Sequence, residues 1–156
     1  MTLTRIYLDT EFTSLNRYQT KLISLALVVP GGPEFYVELT DSWTPADCSP
    51  FVTDTVLPLL DHANHGRTTE QARAELLEFF RQFDRIEIIS DAISWDWPFL
   101  VWLAGPRMPD GIENDQACID REIELNEIGE PPHHALHDAR LLAALVESWN
   151  RQRDII

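Results

Sequence analysis

The sequence predicts an α/β fold, with a mixed five-stranded sheet that carries helices on both of its faces. Nearly continuous apolar segments separated by tight turns fill about the first 40 residues. Apolar residues then recur at helical spacing, and later segments alternate between helical and strand patterns, which is typical of sheets covered by helices. The 156 residues, of which 44% are hydrophobic and 24% charged, fit one globular domain spanning residues 1–156.

The amino-terminal part is expected to form an antiparallel meander of three strands. The first covers Ile6–Asp9 and ends in polar residues, and the second, Leu22–Val29, is apolar nearly throughout and therefore buried. Pro30–Pro33 forms a turn, after which Glu34–Leu39 alternates like a half-buried strand.

Beyond this meander, helices alternate with strands. Ser49 and Pro50 can start a helix over Phe51–Leu60, which Pro58 should end or kink. A pattern resembling a capping box, Thr68–Gln71, precedes a second helix that carries Leu76, Phe80 and Phe83 at helical spacing. The remaining predicted elements are a strand Arg85–Ser90, a short helix Trp95–Leu103, a loop Gly105–Gln116, a short strand Ala117–Ile119 and a long helix from Ala135 to about Gln152. This outline matches the ribonuclease-H-like arrangement, which by itself does not fix a function.

Acidic residues outnumber basic ones by 26 to 12, which gives a formal net charge of −14. This charge argues against tight, non-specific binding to long duplexes, but not against a site where bound cations reverse the local field. No apolar run approaches the ~20 residues that a membrane span needs, and Asp9 comes too early for a secretory signal, so a cytoplasmic protein without a membrane partner is expected. Cys48 and Cys118 lack the spacing of a metal or disulfide framework and are interpreted as free thiols.

Four acidic residues break the hydrophobic pattern in the same way. Each shares a strand side or a helix face with apolar residues, and each is therefore predicted to point inward from its element. They are Asp9 and Glu11 on the first strand, Asp96 on the short helix and Asp138 on the last helix. Any one of them alone is better explained as a helix cap or a partner in an ion pair.

If these four carboxylates lie close together, they need positive charge nearby to offset their repulsion. Two carboxylates ~4 Å apart repel each other by about 4 kcal/mol at an effective dielectric constant of 20. The neighbouring sequence offers no obvious basic partner except Arg140, whose helical position points elsewhere. Mg²⁺ and Mn²⁺ prefer oxygen ligands, so a divalent metal site is the preferred interpretation.

A histidine accompanies the last of these acids. His133 lies at the junction between an extended Pro-Pro segment and the last helix, five residues before Asp138. A neutral imidazole can accept a proton from a water bound beside a metal, and this is the usual way to prepare hydroxide for phosphodiester attack. His134 is expected to be a helix-start residue and His137 a solvated one, and His62 and His65 have no visible chemical context.

With these residues in place, the sequence resembles the DEDDh superfamily of 3′–5′ exonucleases. The resemblance rests on three motifs that span nearly the whole chain: Ile6-Tyr-Leu-Asp-Thr-Glu-Phe-Thr13, Trp95-Asp-Trp-Pro-Phe-Leu100 and His133-His-Ala-Leu-His-Asp-Ala-Arg140. The third is the most specific, and Asp-x-Glu alone is weak because it recurs at Asp120-Arg-Glu122. Within the superfamily, Asp9–Phe12 and Phe51–Leu60 are similar to the compact bacterial exoribonucleases of the RNase AS group, which favours RNA as substrate.

The resemblance implies a role for each matching residue. Asp9, Glu11, Asp96 and Asp138 would ligate two divalent cations, Mg²⁺ or Mn²⁺, and His133 would be the general base. Phe12, Thr13 and Ser14 correspond to the part of the motif that holds the terminal nucleotide, although Phe12 could equally belong to the core. The implied reaction is hydrolysis of the terminal phosphodiester, which releases nucleoside 5′-monophosphates. From the net charge of −14 we hypothesise that the substrate is the 3′ end of a single-stranded or short RNA, with Arg17, Arg107 and Arg140 as possible contacts. Related enzymes are often homodimers, and the five tryptophans permit a homodimer here.

Two departures from the family pattern leave alternatives open. Asp91 precedes the second motif, where many members carry His or Asn, and could compete with Asp96 as ligand. His134 stands four residues before Asp138, where the tyrosine-type branch keeps its catalytic residue, and could replace His133. The competing functions are a catalytically idle nucleic-acid-binding or scaffold domain and a DNA-directed exonuclease of the same superfamily. A glycosidase-type carboxylate pair is a third, but it would leave His133 without a role.

Overall fold

The computed structural model of the protein describes residues 2–114 and 132–153, with side chains up to residue 151. Within these ranges the fold is α/β, with six strands in one mixed sheet. The strands are β1 (Leu3–Phe12), β2 (Leu22–Val28), β3 (Glu34–Leu39), β4 (Gly66–Arg67), β5 (Arg85–Ile89) and β6 (Ile112–Asn114). The helices are α1 (Pro50–Thr55), α2 (His62–His65), α3 (Thr69–Phe80), α4 (Ile93–Ala104) and α5 (Ala135–Arg153), with short 3₁₀ turns at Pro45–Asp47, Leu57–Leu59 and Gly105–Arg107.

The sheet has the strand order β4-β3-β2-β1-β5-β6. The first three strands form the predicted antiparallel meander, whereas β5 pairs parallel with β1, and β6 pairs parallel with β5. Because β1 and β5 run in the same direction, their carboxyl ends lie side by side. This edge of the sheet receives the residues that follow β5 and the amino-terminal end of α4.

Helices cover both faces of the sheet, as predicted. Alternate residues of β1 enter different cores, since side chains along a strand point to opposite sides. Ile6 and Leu8 pack with α3 and α4, whereas Tyr7 packs with Ala139 and Leu142 of α5. The burial of Asp96, Leu100 and Leu103 confirms the predicted inner face of α4. On α5, the buried stripe runs through Ala135, Ala139, Leu142 and Val146. Asp138 therefore lies at the margin of this stripe and not in its middle.

The predicted count of five strands was wrong. The sequence analysis missed β4 and placed β6 inside a loop, because strands of two or three residues at the sheet edges show no hydrophobic period. Backbone pairing alone defines them, for example through the bond from the Thr40 N–H to the Arg67 carbonyl. The predicted strand Ala117–Ile119 lies outside the described residues, as does Cys118.

Some of the helix boundaries predicted from proline and capping residues are confirmed, and others are wrong. Thr68 and Gln71 form the predicted capping box at the start of α3, and Pro58 follows a helix that ends at Thr55. However, α4 begins at Ile93, two residues earlier than predicted, so Pro98 is in its interior. Phe83 packs against the core from beyond the end of α3. No helix in the described parts of the chain combines the length and the apolar character needed to cross a membrane.

Candidate metal centre

Carboxylates from three distant segments meet beside the carboxyl end of β1. Asp9 and Glu11 come from β1, Asp138 comes from the first turn of α5, and Asp91 and Asp96 follow β5. Side-chain oxygens of Asp9, Asp91 and Asp96 lie within 4.8 Å of one another, and so do those of Asp9, Glu11 and Asp138. Asp9 belongs to both groups, which we call the carboxylate cluster. Each group offers three oxygen ligands and could hold a metal ion.

The local structure explains why Asp9 and Glu11 point to the same place. They are two residues apart on an extended strand and follow Tyr7 on the side of the sheet that α5 covers. The pairing of β1 with β2 shifts register between Glu11 and Phe12, so the regular ladder ends just after the second acid. The predicted convergence of these two residues with Asp138 is therefore present.

Asp91 joins the cluster alongside Asp96, so the two do not exclude each other. Asp96 is almost fully buried, whereas Asp91 is exposed at the rim. Both oxygens of Asp96 accept hydrogen bonds from buried hydroxyl groups: one from Thr10 Oγ1 at 2.6 Å and one from Ser90 Oγ at 2.5 Å. These bonds fix the orientation of the carboxylate. The sequence analysis missed both hydroxyls, although the period of β1 places Thr10 on the α4 side of the sheet.

Several oxygens in the cluster lack protein partners. Asp9 Oδ2 and Asp138 Oδ1 are buried and accept no hydrogen bond from the described residues. No lysine or arginine of the described residues forms an ion pair with the five acids. Arg140 pairs instead with Glu34 through two bonds of 2.7 Å, as expected from its helical position. Buried oxygens that need a positive partner, and that have none among the described residues, fit a divalent cation.

Burial and mutual repulsion favour the protonated forms of these acids in the cation-free protein. Burial raises the pKa of Asp9 well above its ordinary value, and repulsion from Asp96, Glu11 and other members adds to this shift. Burial, followed by repulsion from Asp138, raises the pKa of Glu11 to about 8. Burial also raises the pKa of Asp96 to about 7 and that of Asp138 to about 6, against the opposing effect of their hydrogen bonds. The cluster therefore binds protons when it lacks metal.

We expect the stability of the cation-free protein to fall as the pH rises from about 5 to 8. The unfolded chain loses its carboxyl protons near pH 4. The folded cluster still holds protons above that pH, so deprotonation on rising through the folded pKa values destabilises the fold. Millimolar Mn²⁺ at pH 7.5 should raise the melting temperature by about 5–10 °C, as expected for a ligand at ~100 times its Kd. Melting curves between pH 5 and 8, with Mn²⁺ or with EDTA, measure both effects. A melting temperature that responds to neither pH nor Mn²⁺ would contradict the metal centre.

The two candidate histidines occupy different environments. His133 has a positive φ of 57°, a strained conformation for a residue other than glycine, and its ring meets Phe51 edge-on at 5.0 Å. The interaction with His133 lowers the pKa of Asp138, against the larger effect of burial. His134 instead packs on Tyr36 and His137, at ring distances of 4.9 and 4.4 Å. Burial lowers the pKa of His134 to about 4, so this ring is neutral at physiological pH.

His134 packs against a network of hydrogen-bonded polar residues that includes Tyr36 and Glu38. Tyr36 donates a hydrogen bond of 2.5 Å to Glu38, whose fully buried carboxylate also accepts from the Asp61 N–H. His65 meets Tyr36 edge-on from α2, which gives this histidine a packing role that its polar surroundings in the sequence did not indicate. His137 is exposed, as predicted.

The predicted nucleotide-holding residues follow Glu11 in the chain. Phe12 is half-buried and stacks on Trp95 at 5.1 Å and on Phe99 at 5.3 Å. Thr13 is fully buried, and its N–H donates to the Lys21 carbonyl while its hydroxyl accepts from the Lys21 N–H. Its polar groups thus close the loop between β1 and β2. Ser14 is partly exposed and its hydroxyl accepts a bond of 3.4 Å from the Asn16 N–H.

Comparison of the sequence with models of known protein families gives no match, and comparison with curated proteins gives none at the significance threshold applied.

Proposed function

We propose that this protein is a metal-dependent 3′–5′ exonuclease that acts on single-stranded or short RNA. The observation that carries the proposal is the convergence of five carboxylates from three segments around the shared residue Asp9. Four of them, together with His133, are the residues for which the resemblance to DEDDh exonucleases implies catalytic roles. The mixed sheet with helices on both faces is compatible with the ribonuclease-H-like fold that this superfamily shares.

The donor set suits hard divalent cations such as Mg²⁺ or Mn²⁺. Every candidate ligand is a carboxylate oxygen, and two groups of three share Asp9. Asp9, Glu11 and Asp138 would hold one cation, and Asp9, Asp91 and Asp96 a second. Such ions, when bound, would supply Lewis acidity and offset the negative charge that develops on the phosphate in an in-line displacement.

The protein's own side chains then supply the proton transfer and the positioning. His133 accepts a proton from the water whose oxygen attacks the last phosphodiester. The bond between phosphorus and the O3′ of the preceding nucleotide breaks, O3′ takes up a proton, and a nucleoside 5′-monophosphate leaves. Thr10 and Ser90 hold the Asp96 carboxylate in one orientation during this step. Phe12, beside Glu11, supplies an apolar surface for the terminal base.

The choice of a single-stranded RNA end rests on two arguments. The similarity to exoribonucleases of the RNase AS group favours RNA over DNA. The net charge of −14 disfavours a long duplex held through many phosphates, and it leaves the cations, a few arginines and aromatic stacking to hold the substrate.

An idle scaffold domain explains the cluster less well. Burying like charges together costs stability, and a domain that only binds a partner gains nothing from buried carboxyl oxygens without partners. A DNA-directed exonuclease would use the same cluster, so the nature of the substrate separates that candidate.

The direct test is incubation with matched RNA and DNA oligonucleotides that carry a 5′ label, in Mg²⁺, Mn²⁺ or EDTA. We expect stepwise shortening of single-stranded RNA from its 3′ end with either cation, release of nucleoside 5′-monophosphates, and no reaction in EDTA. Faster shortening of DNA would favour the DNA-directed enzyme, and a clear preference for duplex RNA would refute the single-stranded substrate. No shortening of any oligonucleotide would favour the idle domain.

A further inference from the structure

A groove opens between the β1–β2 loop and α4. Its volume is about 370 Å³, and aromatic side chains and two cations line it. We call it the aromatic groove and define it by Arg17, Lys21, Trp95, Phe99 and Trp102. None of the five acids lines this groove, and the link to the carboxylate cluster is Phe12, which follows Glu11 in β1 and stacks on Trp95.

Trp102 is the exposed aromatic residue of this groove, whereas Trp95 and Phe99 are half-buried. Trp102 leaves 46% of its surface open to solvent, although α4 contributes its other face to the core. Trp95 is already in contact with Phe12 and with the Arg17 guanidinium, so Trp102 is the ring available to a ligand. A concave surface lined by aromatic side chains, one of them open to solvent, is typical of binding sites.

A free backbone carbonyl holds Arg17 at this groove. Pro98 lacks an N–H and cannot donate to the carbonyl of Ser94 four residues earlier in α4. The Arg17 guanidinium donates to that carbonyl at 3.2 Å and lies 3.9 Å above the Trp95 ring. The interior proline of α4 thus leaves an acceptor that fixes a cation at the edge of the groove.

The charge of Arg17 is available to an anion. Arg17 forms no ion pair with a carboxylate among the described residues, whereas Arg81 pairs with Glu78 and Arg140 with Glu34. Lys21 pairs with Asp47, with about half of its side chain exposed. In a chain with a net charge of −14, an arginine without a carboxylate partner next to open aromatic rings favours a ligand that combines phosphate with planar bases.

We propose that the aromatic groove binds the nucleotides that precede the 3′ end of a single-stranded nucleic acid, and this rests on the proposed function. A base stacks on Trp102, and the phosphate that follows it pairs with Arg17, while the terminal phosphodiester lies at the carboxylate cluster. Of the three arginines considered as substrate contacts from the sequence, Arg17 is the one that this arrangement uses. The groove therefore gives preference to oligonucleotides over mononucleotide esters.

The test compares a substrate that reaches the groove with one that does not. A single-stranded hexanucleotide, as RNA and as DNA, has preceding nucleotides, whereas the p-nitrophenyl ester of a nucleoside 5′-monophosphate has none. We expect Trp102→Ala and Arg17→Ala to raise the KM for the hexanucleotide about 10-fold, as for the loss of one stacked base. Their kcat values, and their kcat/KM for the ester, should stay within about 2-fold of the wild type. Trp102→Phe should restore the KM, and the controls Val101→Ala on α4 and Arg81→Ala should leave it unchanged.

Each outcome separates the groove from the proposed function. If the wild type is active and Trp102→Ala and Arg17→Ala leave the KM for the hexanucleotide unchanged, the groove proposal is overturned. Wild-type protein that hydrolyses neither substrate overturns the proposed function. In that case, fluorescence anisotropy with a labelled hexanucleotide in EDTA tests the groove separately. Weaker binding by Trp102→Ala than by the wild type supports the groove proposal. Equal binding by the two proteins, or no binding by the wild type, overturns it.

Discussion

Replacing Asp9 by asparagine is expected to abolish nuclease activity and, at the same time, to stabilise the cation-free protein. Asp9 is the only acid common to both groups of the carboxylate cluster, so Asp9→Asn impairs both candidate metal sites. A loss of activity of at least about 1,000-fold corresponds to ~4 kcal/mol of transition-state stabilisation. The cation-free protein should gain stability, because an asparagine at this position requires neither a buried charge nor the uptake of a proton on folding at pH 7.5.

The measurements are the rate of RNA shortening in Mn²⁺ and the melting temperature in EDTA at pH 7.5. Asp138→Asn should behave in the same way, since Asp138 contributes to one of the two groups. Asp54→Asn, which changes an exposed residue of α1, is the matched control and should alter neither quantity. Full activity of a purified Asp9→Asn protein would remove the basis for the metal centre, and a lower melting temperature in EDTA would argue that Asp9 is a structural residue.

The second large effect is expected at His133. Loss of a general base typically slows hydrolysis by 10²–10⁴-fold, so His133→Ala should lower kcat by about 100-fold or more. His134→Ala should have a much smaller effect on kcat, because the His134 ring packs against Tyr36 and His137 and is neutral near pH 7.

Measurements of kcat for the wild type, His133→Ala and His134→Ala under identical conditions separate these two roles. The exposed His137→Ala serves as the control variant. A larger loss of kcat in His134→Ala than in His133→Ala would move the role of general base to His134.

The sequence predicted the architecture wherever an element carried a strong hydrophobic pattern. The meander β1–β3, the capped helix α3 and the long helix α5 all have apolar positions at a clear period, and each was found close to its predicted position. The edge strands β4 and β6 depend on backbone pairing alone and left no signal in the side chains. The start of α4 was misplaced because Pro98 was taken for a residue of the first turn.

The charged residues of the candidate site could be predicted from the sequence, but the residues that form hydrogen bonds to them could not. Asp9, Glu11, Asp96 and Asp138 were identified because an acidic residue within a row of apolar residues interrupts the hydrophobic period of its strand or helix. Thr10 and Ser90, which bind Asp96, break no such pattern, since hydroxyl residues are common in strands. Nor does the sequence show that Pro98 frees the Ser94 carbonyl for Arg17, because that bond joins segments 77 residues apart.

The five acids come from distant segments of the chain. The order in which these segments pack therefore determines when the carboxylates begin to repel one another during folding. Asp9 and Glu11 lie in the central strand, whereas Asp138 reaches them only when α5 docks on β1 and β2. The sheet with α3 and α4 can therefore assemble before Asp138 arrives, and the docking of α5 adds the repulsion of Asp138 to that already present among Asp9, Glu11 and Asp96. We therefore expect local opening of α5, which removes Asp138 from the cluster, to respond to pH and to added divalent cations.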